Sequence, residues 1–185
     1  MPTHAPVRQH GATLIELVVA LAILMALLAG GAPPVAEFLE GAKLAAASSD
    51  LVGDLHLARA EALRRNRRVT VCKSPDGLGC SSHGGWEQGW IVFGDENGNG
   101  ALDDGEEVLG RHEPLPWNLR LVGNRPVAAY VSYTAVGASK LMGGGFQAGT
   151  LTICRRSGAA TPARQVIVNS IGRPRVQKTT VASCV

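Results

Sequence analysis

The sequence predicts an α+β fold in which one long N-terminal helix, apolar in its first half, precedes an antiparallel β-domain. Three observations carry this expectation. Residues 14–36 hold a single charge, Glu16. Beyond them Phe38, Leu44, Leu51, Leu55, Ala58 and Ala62 recur at helical and heptad intervals, with Asp50, Asp54, Arg59, Glu61, Arg64 and Arg65 mainly off that stripe. The remainder breaks into short β-branched runs separated by turn residues, in a chain with 23 glycines, 10 prolines and only 4% aromatics. After the helical spine, the 185 residues leave room for one globular domain of about 120 residues.

The apolar run is long enough to cross a bilayer, which takes about 20 residues. A carboxylate inside such a segment costs a few kcal/mol unless it is paired, so Glu16 marks function. No small-residue cleavage site of the secretory kind follows the run. Instead Gly11 precedes it, after a leader whose one fixed charge is Arg8. The stretch Gly11-Ala12-Thr13-Leu14-Ile15-Glu16 resembles the junction of the type IV prepilin class. That resemblance implies cutting after Gly11 by prepilin peptidase, a methylated N-terminus at Ala12, and Glu16 as the acid five residues into the mature chain. Ala12 stands where most of the class carries Phe. The new α-amine, positive near neutral pH, would neutralise Glu16 of a neighbouring subunit in a low-dielectric filament core. The competing reading is a plain anchor whose glutamate reaches the membrane interface.

Taken in order, a leader at 1–11 is followed by a transmembrane or filament-core helix at 12–36. An amphipathic continuation covers 37–66 and a globular β-domain 67–185. Pro33 and Pro34 are expected to interrupt and bend the spine. At 1.5 Å per residue, a helix from Ala12 to about Asn66 would run roughly 80 Å, too long for one small domain to bury. Short strands are expected at 67–72, 89–93, 107–111, 118–122, 129–134, 150–154, 164–169 and 173–178. The segment from Leu57 through Arg64-Arg65-Asn66 into Val69-Thr70-Val71-Cys72 is similar to the FimT/GspH family of minor pilins and pseudopilins. The resemblance implies a type IV pilin-like fold, the helix packing on a β-domain of two antiparallel sheets. The cluster Arg64, Arg65, Arg67 and Arg68 reads as a solvated, favourable helix C-terminus rather than a nucleic-acid contact.

The four cysteines, Cys72, Cys80, Cys154 and Cys184, suit two disulfides in a domain delivered outside the membrane. Of three connectivities, the one expected is Cys72–Cys80 with Cys154–Cys184; a zinc site lacks the usual Cys-x-x-Cys pair. Asp95-x-Asn97-x-Asn99-Gly100-x5-Glu106 fits the calcium-loop template, with Asp103 also in range, but its flanks read as strands. A metal-free hairpin turn is therefore set ahead of calcium, and no other cofactor is expected.

Charge supplies the functional lead. Through Glu113 there are 9 Lys/Arg and 15 Asp/Glu; from Pro114 onward there are 9 Lys/Arg and no acids. So long an acid-free stretch points to a polyanionic partner. Within it lies Gly172-Arg173-Pro174-Arg175, with Lys178 close behind. Proline between the arginines stiffens two guanidiniums, each able to grip a phosphate. Gly172-Arg173-x-Arg175 resembles the motif linked to DNA binding in FimT-type minor pilins of naturally transformable bacteria. The resemblance assigns Arg173 and Arg175 as core contacts, with Lys178, Arg164, Arg155 and Arg156 flanking. Strand arginines that face solvent for solubility are the bland alternative. No stacking aromatic lies nearby in sequence, Tyr130 and Tyr133 being remote.

An enzyme is not expected, because the five histidines have no evident nucleophile or metal partner and Gly143-Gly144-Gly145 lacks a phosphate-binding lysine. Two functions remain. One is a minor pilin of a type IV pilus that binds DNA. The other is a GspH-like pseudopilin of a type II secretion system without DNA binding. Either would be a single-pass inner-membrane protein with a periplasmic C-terminal domain, extracellular once assembled in a pilus. Its partners would be other pilins, prepilin peptidase and, in the first case, DNA.

Overall fold

The computed structural model describes residues 13–184, without the side chains of 29–34 and 36. Gly11 and Ala12, the processing pair, lie outside the described residues. The chain forms two compact units that meet at Glu40/Gly41. A single helix, α1 (Leu14–Arg65), is assigned across this boundary, and Pro33 and Pro34 do not end it.

In the first unit, Thr13 is the N-cap and Glu16 the third helical residue. Thr13 Oγ1 accepts the Glu16 N–H at 3.3 Å, while the Glu16 carboxylate accepts the Thr13 N–H at 3.1 Å and its hydroxyl at 3.2 Å. This reciprocal pair is a capping box, which satisfies two donors the helix start would otherwise leave open. Leu14, Ile15, Leu17, Val18, Val19, Leu21, Ile23, Leu24, Met25, Leu27 and Leu28 are all exposed. Among the described residues no helix is long and apolar enough to cross a membrane. The expected span at 12–36 includes Ala12 and the side chains of 29–34 and 36, which lie outside the described residues.

The second unit carries two four-stranded antiparallel sheets. Sheet one, ordered β3-β2-β1-β5, contains β1 (Val69–Lys73), β2 (Trp90–Gly94), β3 (Val108–His112) and β5 (Tyr130–Tyr133). Sheet two, ordered β4-β6-β7-β8, contains β4 (Leu119–Gly123), β6 (Gly149–Arg155), β7 (Thr161–Val168) and β8 (Pro174–Val181). One core joins them. Leu44, Ala47, Leu51, Leu55, Ala58 and Ala62 of α1 pack with Val71, Val92 and Val131 of sheet one and with Leu121, Ile153 and Val166 of sheet two. Full burial of a leucine contributes about 1.5–3 kcal/mol, so this helical stripe is a principal source of stability. Phe38 is no part of it and stands 73% exposed, because it precedes the boundary after Glu40.

Helix α1 ends in a Schellman turn. Asn66 takes φ 52°, a left-handed conformation asparagine tolerates, and the Arg67 N–H reaches back to the Ala62 carbonyl at 3.3 Å. Of the arginines there, Arg64 and Arg67 are exposed as the sequence suggested, Arg65 and Arg68 are half-buried, and all four have partners. Arg64 and Arg65 bind Glu61 at 2.6 Å, Arg65 also reaches Glu107, and Arg67 meets Glu96 at 2.6 Å. Arg68 donates to the Ser132 hydroxyl and the Lys140 carbonyl.

Every expected strand is present, with shifted ends. β7 starts three residues early, at Thr161, since Pro162 masks it: a donor-less residue reads as a turn but is tolerated near a strand's start. β8 runs three residues past Lys178, pairing Thr179, Thr180 and Val181 with the start of β7. Cys72 is bonded to Cys80, and Cys154 to Cys184. The second bond holds the C-terminal tail over Cys154 and Ala163, where Val181 completes a small cluster.

Candidate nucleic-acid interface

The acid-free part of the sequence supplies the whole of sheet two, together with β5 of sheet one. All four strands of sheet two come from it, and they carry Arg120, Arg155, Arg164, Arg175 and Lys178 without an acid. β8 is an edge strand, exposed on both faces over most of its length. Charged side chains on such an edge also discourage pairing with another chain, which is the plainest explanation for them.

The Gly172-Arg173-Pro174-Arg175 segment sits where β7 turns into β8. Asn169 organises the turn: its carbonyl accepts the Gly172 N–H and its Oδ1 accepts the Arg173 N–H, each at 2.9 Å. Gly172 has φ 79°, a region that favours glycine, and a Cβ there would lie 2.1 Å from the Gly137 carbonyl oxygen. That oxygen is itself held by Arg59 Nε of α1 at 2.9 Å. The turn therefore packs closely against a carbonyl that the helix holds.

Arg173, Arg175 and Lys178 are exposed and make no side-chain hydrogen bond or ion pair among the described residues. They do not form one cluster. Directly paired antiparallel residues share a sheet face, and alternate residues change face. Arg175 pairs with Ile167 and falls on the outer face with Gln165 and Gln177, whereas Lys178 pairs with Arg164 and falls on the core-side face. The two arginines precede or open β8 on one side, and Lys178 stands with Arg164 on the other. Phosphates lying along the β8 edge can reach both sets; a ligand on the outer face reaches only Arg173 and Arg175. A groove of about 490 Å³ crosses that outer face, lined in part by Arg120, Val122, Thr152, Gln165 and Cys184.

The flanking arginines differ. Arg155 is exposed, while Arg156 is bound to the Trp117 carbonyl at 3.0 Å and lies 3.4 Å from Glu87. Arg120 lies 3.8 Å from the same carboxylate. Glu87 thus takes part of the basic charge at the β4 end of the sheet.

Sequence reading missed two exposed aromatics: Trp117, 87% exposed, whose carbonyl holds Arg156, and Phe146. Phe146 is 74% exposed, with Lys140 Nζ 5.9 Å above its ring. Its neighbour Gln147 is brought to the β7–β8 turn, because the Ser139 hydroxyl lies 2.6 Å from the Gln147 carbonyl and 2.8 Å from that of Asn169. The loop between β5 and β6 makes this approach, and no local pattern announces it. Of the aromatics considered from sequence, Tyr133 is fully buried, its phenol pushed up by burial, and Tyr130 accepts the Met142 N–H.

The remaining candidate residues lie elsewhere. Asp95, Asn97, Asn99, Asp103 and Glu106 occupy the loop between β2 and β3. Among the described residues, no three His, Cys, Asp or Glu side chains converge as a metal site. His56 is exposed, and His112 stacks on Trp90 at 3.8 Å, a packing contact. Ser82 and His83 touch at 3.0 Å as sequence neighbours, with Asp76 nearby in the chain committed to the Leu78 N–H.

Residues 47–172 match the family model described as type II transport protein GspH, which is more than half of the chain. The chain belongs to the GspH family. Residues 7–32 match the prokaryotic N-terminal methylation motif, covering Gly11, Ala12 and Glu16. The GspH match stops at Gly172, so Arg173, Arg175 and Lys178 lie just past it. The crystal structure of the type IV minor pilin FimU from Pseudomonas aeruginosa aligns with a TM-score of 0.55 at 20% identity, over 80% of this chain and 99% of that one. A second crystal form of FimU gives 0.52 at 19% identity, over 77% and 100%. The minor pseudopilin EpsH from the type 2 secretion system of Vibrio cholerae gives 0.49 at 13% identity, over 73% and 96%. No curated protein sequence matches. The helix on two antiparallel sheets is thus the type IV pilin-like fold, in a GspH-family chain.

Proposed function

We propose that this GspH-family chain is a minor pilin of a type IV pilus that contributes to pilus biogenesis and binds extracellular DNA for uptake in natural transformation. The observation that carries the DNA reading is the acid-free sheet two, whose terminal turn displays Arg173 and Arg175 unpaired and held rigid by Asn169 and Gly172. Phosphate contacts of this kind fix no sequence, so binding is tolerant of sequence and weakened by salt. Weak single sites suffice in a filament, where several copies add avidity. Prepilin peptidase would cut after Gly11, and the amine of Ala12 would meet Glu16 of an adjoining subunit. The first unit, with its exposed apolar side chains, would lie in the inner membrane before assembly and among other pilins after it. No catalytic role is assigned.

The description of the family model favours a second reading: a minor pseudopilin of a type II secretion system without affinity for DNA. A mobility shift of the full chain in detergent with duplex DNA separates the two. The pilin reading expects binding at low salt that falls at least about tenfold in Arg173→Ala/Arg175→Ala, as the loss of two charged phosphate contacts implies. Absence of binding at low salt favours the secretion reading, and undiminished binding by the double variant removes the motif assignment.

A further inference from the structure

The loop between β2 and β3 holds a carboxylate that its surroundings do not satisfy. Asp95 is fully buried, and its Oδ2 accepts the Thr70 hydroxyl at 2.7 Å and the Gly100 N–H at 3.2 Å. Its Oδ1 is shielded from solvent and has no hydrogen-bond partner. A buried carboxyl oxygen without a hydrogen-bond partner is costly, and native structures seldom keep one without a reason. The bond from Gly100 turns this carboxylate toward the loop.

The rest of the loop presents oxygens and amides in the order 1, 3, 5, 9, 12 from Asp95. Asn97 Oδ1 accepts the Asn99 N–H at 3.0 Å, and Asn99 Oδ1 accepts the Ala101 N–H at 2.7 Å. Their Nδ2 groups both donate to Asp103 Oδ2, at 2.7 and 2.6 Å. The Glu106 carboxylate accepts the Glu96 N–H at 2.8 Å and the Asp103 N–H at 3.0 Å. Gly100 has φ 77°, and a Cβ there would lie 2.7 Å from Met142 Cε, so the chain makes its sharp turn with glycine.

We propose that this loop binds one calcium ion, with Asp95 Oδ1 as its first ligand, side-chain oxygens of Asn97 and Asn99, the Ala101 carbonyl, a bidentate Glu106, and Asp103 directly or through water. The two Asn amides now supply partial positive charge to Asp103. Rotating each about its last torsion exchanges nitrogen for oxygen and hands that role to the cation. The ligands are thus assembled by the ion, which accounts for three acids that do not converge on their own. Calcium fits and magnesium does not. Seven oxygens from a pliable loop, several of them neutral, suit calcium at about 2.3–2.6 Å, whereas magnesium demands a near-ideal octahedron at about 2.0–2.1 Å. The flanking elements are strands, so the ion would fix the hairpin rather than open a helix pair. Two neutral amides among the ligands, and Arg67 paired with Glu96 in the same loop, place the affinity in the range of extracellular modules, about 10⁻⁴ to 10⁻³ M. The inference stands whether the chain serves a pilus or a secretion system.

The test is calorimetry and thermal unfolding of the full chain in detergent, with calcium chloride, magnesium chloride or chelator. One calcium per chain and a raised Tm are expected, with little response to magnesium. Glu106→Gln is expected to weaken binding at least tenfold yet melt close to the parent protein in chelator, since Glu106 is half-buried and the glutamine keeps one side-chain oxygen to accept a backbone N–H. Asp95→Asn should abolish the calcium response. The proposal is overturned by an absent calcium response in the parent protein, by an equal response to magnesium, or by Glu106→Gln binding as tightly as the parent.

Discussion

Gly172 decides whether the two arginines are displayed at all. Its left-handed φ and the adjacent Gly137 carbonyl leave no room for a side chain. Gly172→Ala should destabilise the domain by on the order of 2 kcal/mol, read by chemical denaturation, from the backbone strain and displaced carbonyl together. Arg175 and Lys178 should separate in effect. Arg175→Ala is expected to weaken duplex binding several-fold in fluorescence anisotropy, and Lys178→Ala less, because strand alternation sends Lys178 to the other face beside Arg164. Phe146→Ala should reduce binding of single strands more than of duplex. An exposed ring can stack an unpaired base, an interaction worth about 1–3 kcal/mol. The Gly-Arg-Pro-Arg segment was legible from four consecutive residues. The exposure of Phe146 was not, since its neighbour Gln147 is fixed through the Ser139 hydroxyl lying between two carbonyls from separate segments.

Among the elements, α1 shows why periodicity reads well and its ends badly. Leu44, Leu51, Leu55, Ala58 and Ala62 lie on the buried stripe as their spacing requires, and Phe38 continues the same spacing into a unit that buries none of its described apolar side chains. Periodicity reports a face, not whether anything covers it. Leu55→Ala should cost about 2–5 kcal/mol in denaturant unfolding, the range for a fully buried leucine. At the helix end, hydrogen bonds from Arg64 and then Arg65 hold Glu61 down at a pKa of about 2. A carboxyl lowered on folding stabilises above its ordinary value near 4.3, and that contribution disappears as pH falls from there through about 2. Glu61→Gln should therefore be less stable near neutrality by about 1 kcal/mol or less, the span of partly exposed ion pairs, and converge on the parent protein only as pH drops below about 2. The strands were legible from β-branched runs. β7 began three residues early, where Pro162 imitates a turn.

Across the molecule, a bias along the sequence becomes a bias in space. The last acid is Glu113, and β4, β6, β7 and β8 all follow it, so sheet two collects bases while the acids stay on α1 and in the loops around sheet one. The asymmetry was visible by counting; its gathering into one sheet was not, because strand order is set by long-range pairing such as β4 with β6. The first unit presents the complementary case. Glu16 caps its own helix through Thr13, and the same carboxylate would be the one to meet a neighbour's amine in a filament. Glu16→Gln should lower incorporation into filaments at least about tenfold by quantitative immunoblot of sheared pili, in keeping with the cost of an unpaired group in an apolar core.

The most direct measurement is the affinity of the full chain in detergent for a short duplex, followed across a range of salt concentrations in the parent protein and in Arg173→Ala/Arg175→Ala. Each neutralised phosphate contributes about −0.9 to the slope of log K against log salt, so removing both contacts should flatten the line by about 2. Parallel lines for the two proteins, or no binding at the lowest salt, would contradict DNA capture by the β7–β8 turn.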